Sequence, residues 1–197
     1  MSNVETRVPG AHIADPGPLG LAGFGLTTFV LSLVNANILH APVEPVVFGL
    51  ALAYGGIAQF AAGIWEFAKG NTFGATAFCS FGAFWISFWY LTGHTDLSKA
   101  GTEAHQGLGA FLLAWAIFTA IMTVAATRVS NVVLTVFVLL TITFFLLSFG
   151  EFWEKETITH WGGYFGLATA AAAWYGVLAG VTNSTYKDTV IPVGPRV

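Results

Sequence analysis

Six runs of this chain contain no Asp, Glu, Lys or Arg: residues 16–43, 45–65, 70–95, 104–127, 129–150 and 157–186. Each reaches the roughly 20 residues that an α-helix needs to cross about 30 Å of hydrocarbon at about 1.5 Å per residue. The strands of a membrane barrel would alternate apolar and polar over about ten residues, and these runs do not. A soluble protein with six all-apolar core helices would lack the polar chain to wrap them in 197 residues. The predicted fold is an all-α integral membrane protein with six transmembrane helices. They occupy residues 16–181, between a flexible N-terminal tail, 1–15, and a C-terminal tail, 182–197.

Composition agrees with that class and removes others. Charged residues make up 9% of the chain, against roughly 25% in soluble domains, and the mean hydropathy is +0.72. The net charge is −3 and there is no basic patch, which argues against nucleic acid as a partner. The single cysteine, Cys79, falls mid-helix and cannot form an internal disulfide. The first apolar run is too long for a signal-peptide core, so the first helix is expected to persist in the mature protein. With six spans, Arg7, Lys69, Arg128, Lys187 and Arg196 share one side and only Lys99 and Lys155 the other. That bias predicts both termini in the cytoplasm and a multi-pass protein of the plasma or inner membrane.

Polar residues inside the runs mark the face that lipid does not see, because each costs several kcal/mol in hydrocarbon unless paired or wetted. In the first helix Gly20, Phe24, Thr27, Thr28, Leu31 and Asn35 share a face. In the second, Gly55, Gln59, Gly63 and Glu66 form a stripe, with Ile57, Phe60, Ile64 and Phe67 off it. A minimal turn, Lys69-Gly70-Asn71-Thr72, leads into a third helix. Its bulky face holds Ala77, Phe81, Phe84 or Trp85, and Phe88, with Thr76 beside it. The fourth is predicted to be the most lipid-facing. The fifth repeats Phe137, Leu140, Phe144 and Ser148, and Glu151, Glu154, Lys155 and Glu156 after it read as a solvated acidic cluster. The sixth carries small residues at four-residue spacing, at Gly162, Gly166 and Ala170 and at Ala172, Gly176 and Gly180, a close-packing signature. His94, Asp96, Glu103 and His105 between the third and fourth helices match no familiar metal-ligand spacing. No metal or other cofactor is expected.

Two blocks carry a family resemblance. Asp15-Pro16-Gly17-Pro18-Leu19-Gly20-Leu21 is close to an Asn-Pro-x-Pro-Leu-Gly-Leu signature, and Tyr54-Gly55-Gly56-Ile57-Ala58-Gln59 leads to Gly70-Asn71-Thr72-Phe73-Gly74 and Ala75-Thr76-Ala77-Phe78. Both resemble the GPR1/FUN34/YaaH family of acetate uptake transporters, or succinate–acetate permeases. The resemblance implies a six-helix protomer in a homohexamer, with a pathway for acetate and other small carboxylates, sometimes succinate, in each protomer. It further implies a constriction at Phe24, Phe81 and Leu140. These lie eight, nine and nine residues beyond Pro16, Thr72 and Asn131, and so roughly 12–14 Å deep at about 1.5 Å per residue. Asp15 stands where the family usually has Asn, and Phe81 where many members have Tyr.

The function expected is therefore transport of acetate-sized carboxylates past an apolar ring, coupled to protons. Thr27, Thr28, Gln59, Asn71 and Thr76 are the candidate substrate-binding residues, because hydroxyl and amide donors suit a carboxylate. Glu66 is the candidate proton-linked residue. The alternative is an acetate-selective anion channel without proton coupling. An enzyme is not expected, since His12, His40, His94, His105 and His160 all fall in loops, termini or a helix end.

Overall fold

The computed structural model describes residues 12–196. They form six long helices: α1 (Gly17–Asn35), α2 (Val46–Lys69), α3 (Thr72–His94), α4 (Glu103–Ala126), α5 (Asn131–Phe152) and α6 (Glu156–Tyr186). The described residues contain no strand beyond an isolated bridge between Ser130 and Pro195. All but α3 are long and apolar enough to cross a membrane. At 23 residues α3 has the length, but glycine, hydroxyl and ring-polar residues dilute its apolarity.

The charge-free runs locate the helices but not their ends. Although the first charge-free run continues to residue 43, α1 stops at Asn35; Asn37 takes φ +55° and the Ile38 and Leu39 N–H groups both fold back onto the Leu33 carbonyl. At the other ends charged residues join the helices, since long side chains can carry their charge outward from a helix terminus. Thus α4 begins at Glu103 and α6 runs from Glu156 to Tyr186, past the expected boundary at residue 181. The expected N-terminal tail lies outside the described residues through residue 11. The chain after α6 is tied down. Asn183 Oδ1 accepts from the Val190 and Ile191 N–H groups, and its Nδ2 donates to the Ile191 carbonyl. The Tyr175 hydroxyl donates to the Pro192 carbonyl, and the Asn131 N–H to that of Gly194.

One feature of α2 has no counterpart in the hydropathy pattern. Ala53–Ala58 forms a π-helical turn within it. The wider turn buries Gly55 and Gly56 side by side while Gln59, Gly63 and Glu66 also point inward. Ile57, Phe60, Ile64 and Phe67 are exposed, as the stripe predicts.

Small residues set the packing. Helices α1 and α6 run antiparallel in close contact, Pro18 against Gly180, Leu21 against Gly176, Gly25 against Ala173, Ser32 against Gly166 and Ala36 against Gly163. A Cβ on Gly163 would collide with the Ala36 backbone. Between α2 and α3, a Cβ on Gly63 would lie 2.5 Å from the Cys79 N, and one on Gly82 would lie 2.8 Å from the Phe60 N. On the other flank Ser148 Oγ donates to the Gly109 carbonyl at 2.8 Å, joining α5 to α4. Thr123 and Thr141 hydroxyls meet at 3.0 Å between the same helices. Neighbours thus follow the order α4, α5, α6, α1, α2, α3. The last contact back to α4 is made mainly by rings: Phe84 with Phe111 and Trp115, and Phe81 with Trp115 and Phe118. Of the five apolar helices, α4 is the least buried.

A side chain at a backbone-to-backbone contact must push two helices apart, an overpacking cost of about 1–3 kcal/mol or more. Gly63→Val is expected to lower the melting temperature in detergent by several degrees. Gly49 has nothing within 4 Å of its would-be Cβ; Gly49→Ala is expected to be neutral or slightly stabilising. Scanning fluorimetry of the two variants beside the parent checks both.

Candidate functional site

Two cavities enter the helix bundle from opposite ends. The proximal one, about 450 Å³, opens at the N-termini of α1, α3 and α5, where Asp15, Gly17, Asn71 and Ser130 line it. The distal one, about 180 Å³, opens at the other end, where Asn35, Glu44, Glu151 and Thr159 line it. Phe24 of α1 and Leu140 of α5 are the two residues that line both cavities. Phe81 of α3 lines the proximal cavity, with its ring centroid 5.9 Å from that of Phe24. All three are at most 4% exposed. Phe81 is held on its other sides by the rings of Trp115, Phe118, Phe137 and Phe144.

The proximal cavity owes its polarity to the α2–α3 hairpin. Gly70 closes α2 in the left-handed conformation, φ +80°, which glycine adopts without a steric penalty. Asn71 then caps α3: its Oδ1 accepts from the Gly74 N–H at 3.1 Å, and its Nδ2 donates to Glu66 Oε2 at 2.9 Å. Glu66 is 1% exposed and packs where a Gly74 side chain would be, 2.8 Å from its carboxyl carbon. Its other oxygen lies 3.7 Å from a Cβ built on Gly17. The carboxylate therefore sits between the starts of α1 and α3, whose unpaired N–H groups favour negative charge. Two turns further in, Gln59 is 1% exposed and its Oε1 has no partner. Asp15 accepts from Lys69 Nζ at 2.7 Å and from the Gly17 N–H at 3.3 Å. Its charge is thus paired at the mouth rather than left facing the cavity alone.

The candidate binding residues separate on burial and partners. Gln59 and Asn71 line the proximal cavity and Thr28 the distal one. Thr27 and Thr76 line neither. The Thr27 hydroxyl donates to the Gly23 carbonyl at 2.8 Å and packs against Gly55, which is helix packing. The Thr28 hydroxyl is buried without a partner, and so is Trp85 Nε1; both residues line the distal cavity.

Sequence reasoning passed over several lining groups. Trp85 was read only as bulk, though its position four residues beyond Phe81 puts it on the same helix face. Glu151, expected within a solvated acidic cluster, reaches the distal mouth, and so does Glu44, which the sequence pattern does not single out. His105 Nδ1 donates to Glu151 Oε2 at 2.8 Å, so the cluster after α5 is only partly solvated. Burial first, then the charge of Glu151, push the Glu44 carboxyl above the ordinary carboxylate range. From the C-terminal segment Val193 helps wall the proximal cavity. Among the described residues no three His, Cys, Asp or Glu converge as a metal site.

Comparison with known proteins gives this geometry a lineage. The family model for the GPR1/FUN34/yaaH family matches residues 2–195. The chain belongs to that family. The succinate-acetate/proton symporter SatP of Escherichia coli (strain K12) is 37% identical over 182 residues, 92% of this chain and 96% of its own. The solved structure of the bacterial acetate channel SatP matches with a TM-score of 0.84 at 38% identity, over 92% of this chain and 99% of that one. Ammonia transport outward protein 2 of Saccharomyces cerevisiae is 42% identical over 194 residues, 95% of this chain and 67% of that longer protein. The all-helical fold is therefore shared with a membrane channel, and these three relatives are transporters or channels by name.

Removing Asn71 would leave the Gly74 N–H without its cap and the buried Glu66 without its donor. A lost N-cap costs about 0.5–2 kcal/mol, and a hydrogen bond to a charged group about 1.5–3. Asn71→Ala is expected to lower the detergent melting temperature clearly. Asn71→Asp, which keeps the cap but faces Glu66 with a like charge, is expected to lose more stability at pH 8 than at pH 5. Melting curves at both pH values check this.

Proposed function

We propose that this chain moves acetate and related small monocarboxylates across the plasma or inner membrane, each crossing in company with a proton. In this reading all six helices span the bilayer, α3 included, with both termini cytoplasmic. The observation that supports it most is the pair of cavities that meet at Phe24 and Leu140, with Phe81 against Phe24. A vestibule at each end and a thin apolar partition between them is the geometry of a solute path. Phe24, Phe81 and Leu140 are the constriction. Gln59 and Asn71 bind the carboxylate on the proximal side and Thr28 on the distal side; Thr27 and Thr76 have no part in it. The protomers assemble as a homohexamer, an expectation carried by the family and testable by size exclusion with light scattering.

Proton coupling follows from the partition. An ionised carboxylate crossing an apolar ring loses its hydration at large cost. Neutralising an acid of pKa near 4 at pH 7 takes about three units, or about 4 kcal/mol. The protonated form is the cheaper passenger through a dry ring, and Phe81, without a hydroxyl, keeps the ring dry. Glu66 is placed to hold or pass a proton on the proximal side. A channel without coupling is the second reading, favoured by the likeness to the bacterial acetate channel SatP.

Labelled acetate uptake into proteoliposomes tests this. An inward proton gradient is expected to raise uptake severalfold. Phe81→Ala is expected to speed flux and admit succinate, because the partition widens. Uptake that follows membrane potential and ignores the proton gradient would favour the channel, and no uptake under either condition would overturn both readings.

A further inference from the structure

We propose that residues 188–196, the stretch after α6, form a strap that narrows the proximal mouth on its α5–α6 side and limits how fast solute enters there. The inference rests on the transport reading above and names an element that controls that path. Lys187 turns the chain back at the end of α6, with φ +57°. The strap then crosses from α6 to the start of α5. On α6 it is tied by the Asn183 side chain, which bonds Val190 and Ile191, and by the Tyr175 hydroxyl, which donates to the Pro192 carbonyl at 2.8 Å. At α5 its carbonyls accept the first N–H groups of the helix: Asn131 donates to Gly194 at 2.7 Å and Val132 to Val193 at 3.3 Å. The Arg196 N–H donates to the Val129 carbonyl at 3.2 Å, and Pro195 pairs with Ser130 in an isolated antiparallel bridge. Gly194 takes φ +62°, and a Cβ there would collide with the Asn131 side chain, so glycine is what lets the strap lie this close.

Position makes this stretch a cover. Val193 lines the proximal cavity together with Val129, Ser130, Val132 and Asn183, the residues on which the strap lies. The first N–H groups of a helix have no partner within it and favour negative charge. Here strap carbonyls hold two of those of α5, beside the cavity that the proposed solute enters. Attachment makes the cover releasable. No residue from Lys187 to Arg196 is buried, and Val190 is 52% exposed. The strap is thus held by hydrogen bonds near the surface, each worth about 0.5–1.5 kcal/mol net, and not by core packing. Segments with few buried contacts and exposed backbone hydrogen bonds open at the lowest free energy. The helices beneath are joined by close contacts instead, Gly176 on Leu21 and Gly180 on Pro18. Release takes Val193 out of the wall and frees the Asn131 and Val132 N–H groups beside the entrance, with no helix moved.

The test is labelled acetate uptake into proteoliposomes by a chain whose strap can be locked, with protein-free vesicles subtracted. Residues paired across an antiparallel bridge lie about 4.5–5.5 Å apart at Cα, within the about 4.4–6.8 Å that a disulfide spans. Ser130→Cys with Pro195→Cys, in a Cys79→Ala background, therefore allows one disulfide that holds the strap shut. Oxidation is expected to lower the initial uptake rate about threefold or more, and a membrane-permeant reductant to restore it in the same vesicles. Both forms lack the Ser130 cap equally, so the comparison reads the strap alone. Gly194 does not line the cavity; Gly194→Val dislodges the strap and is expected to raise uptake about twofold to fivefold. Equal uptake by the oxidised and reduced forms, with the disulfide confirmed by mass, overturns the inference and leaves transport intact. A Gly194→Val rate at or below the parent's, in protein that melts as the parent does, overturns it as well. No uptake by the parent above protein-free vesicles overturns the transport reading and this inference together.

Discussion

Where α1 and α6 meet, each glycine takes the place of a side chain that would otherwise hold the backbones apart. Gly163 lies against the Ala36 backbone, Gly166 against Ser32, Gly180 against Pro18. On the opposite flank Gly63 sits on Cys79 and Gly82 on Phe60. Lipid gives apolar helices no hydrophobic reason to associate, so van der Waals contact at close range must do so. These approaches also determine what is left for the centre. With the small residues consumed at the helix pairs, the inward faces of α1, α3 and α5 carry bulk, and Phe24, Phe81, Phe84, Leu140 and Phe144 fill the axis. The partition between the cavities is thus a consequence of glycine placed elsewhere.

The two ends of the axis differ electrically. At the proximal end α1, α3 and α5 begin, and Gly17, Asn71 and Ser130 line the cavity there. Their N-termini supply partial positive charge, which holds Glu66 and would hold a carboxylate. At the distal end the same helices finish, and the mouth adds Glu44 and Glu151. In the proposed path the distal mouth is lined by two carboxyls, whereas the proximal cavity sets helix N-termini beside the carboxyl of Glu66.

Much of this was legible in the sequence because membranes reward simple patterns. Runs without charge located the six helices, and the stripe Gly55, Gln59, Gly63, Glu66 pointed inward as spacing requires. What spacing could not resolve were effects of one or two residues. Thr27 and Thr28 are adjacent and share a helix face, yet one bonds its own backbone and the other is buried without a partner. The π turn at Ala53–Ala58 leaves no mark on hydropathy. The C-terminal segment looked like a polar tail because its anchors, Asn183, Tyr175 and the N–H of Asn131, lie far from it in sequence or work through backbone atoms. Glu151 reads as solvated because a carboxylate near a helix end usually is.

The proposed constriction is unequal in its parts. Phe81 touches Phe24 and four further rings, from α4 and α5, and stacks within 8° of parallel on Phe144. Turning it would disturb each of those contacts, every one worth about 0.5–1.5 kcal/mol beyond its buried area. Phe24 has a single ring contact among the described residues, with Phe81, and stands between Gly23 and Gly25 on α1. Those glycines are close-packed against Tyr54 of α2 and Ala173 of α6, so the backbone under Phe24 is fixed on both sides, and its ring is 4% exposed. In the proposed path, rotation of the Phe24 ring would break one aromatic contact where turning Phe81 would break five. The glycine contacts that join α1 to its neighbours do not involve that ring, so opening the partition at Phe24 disturbs fewer aromatic contacts than opening it at Phe81.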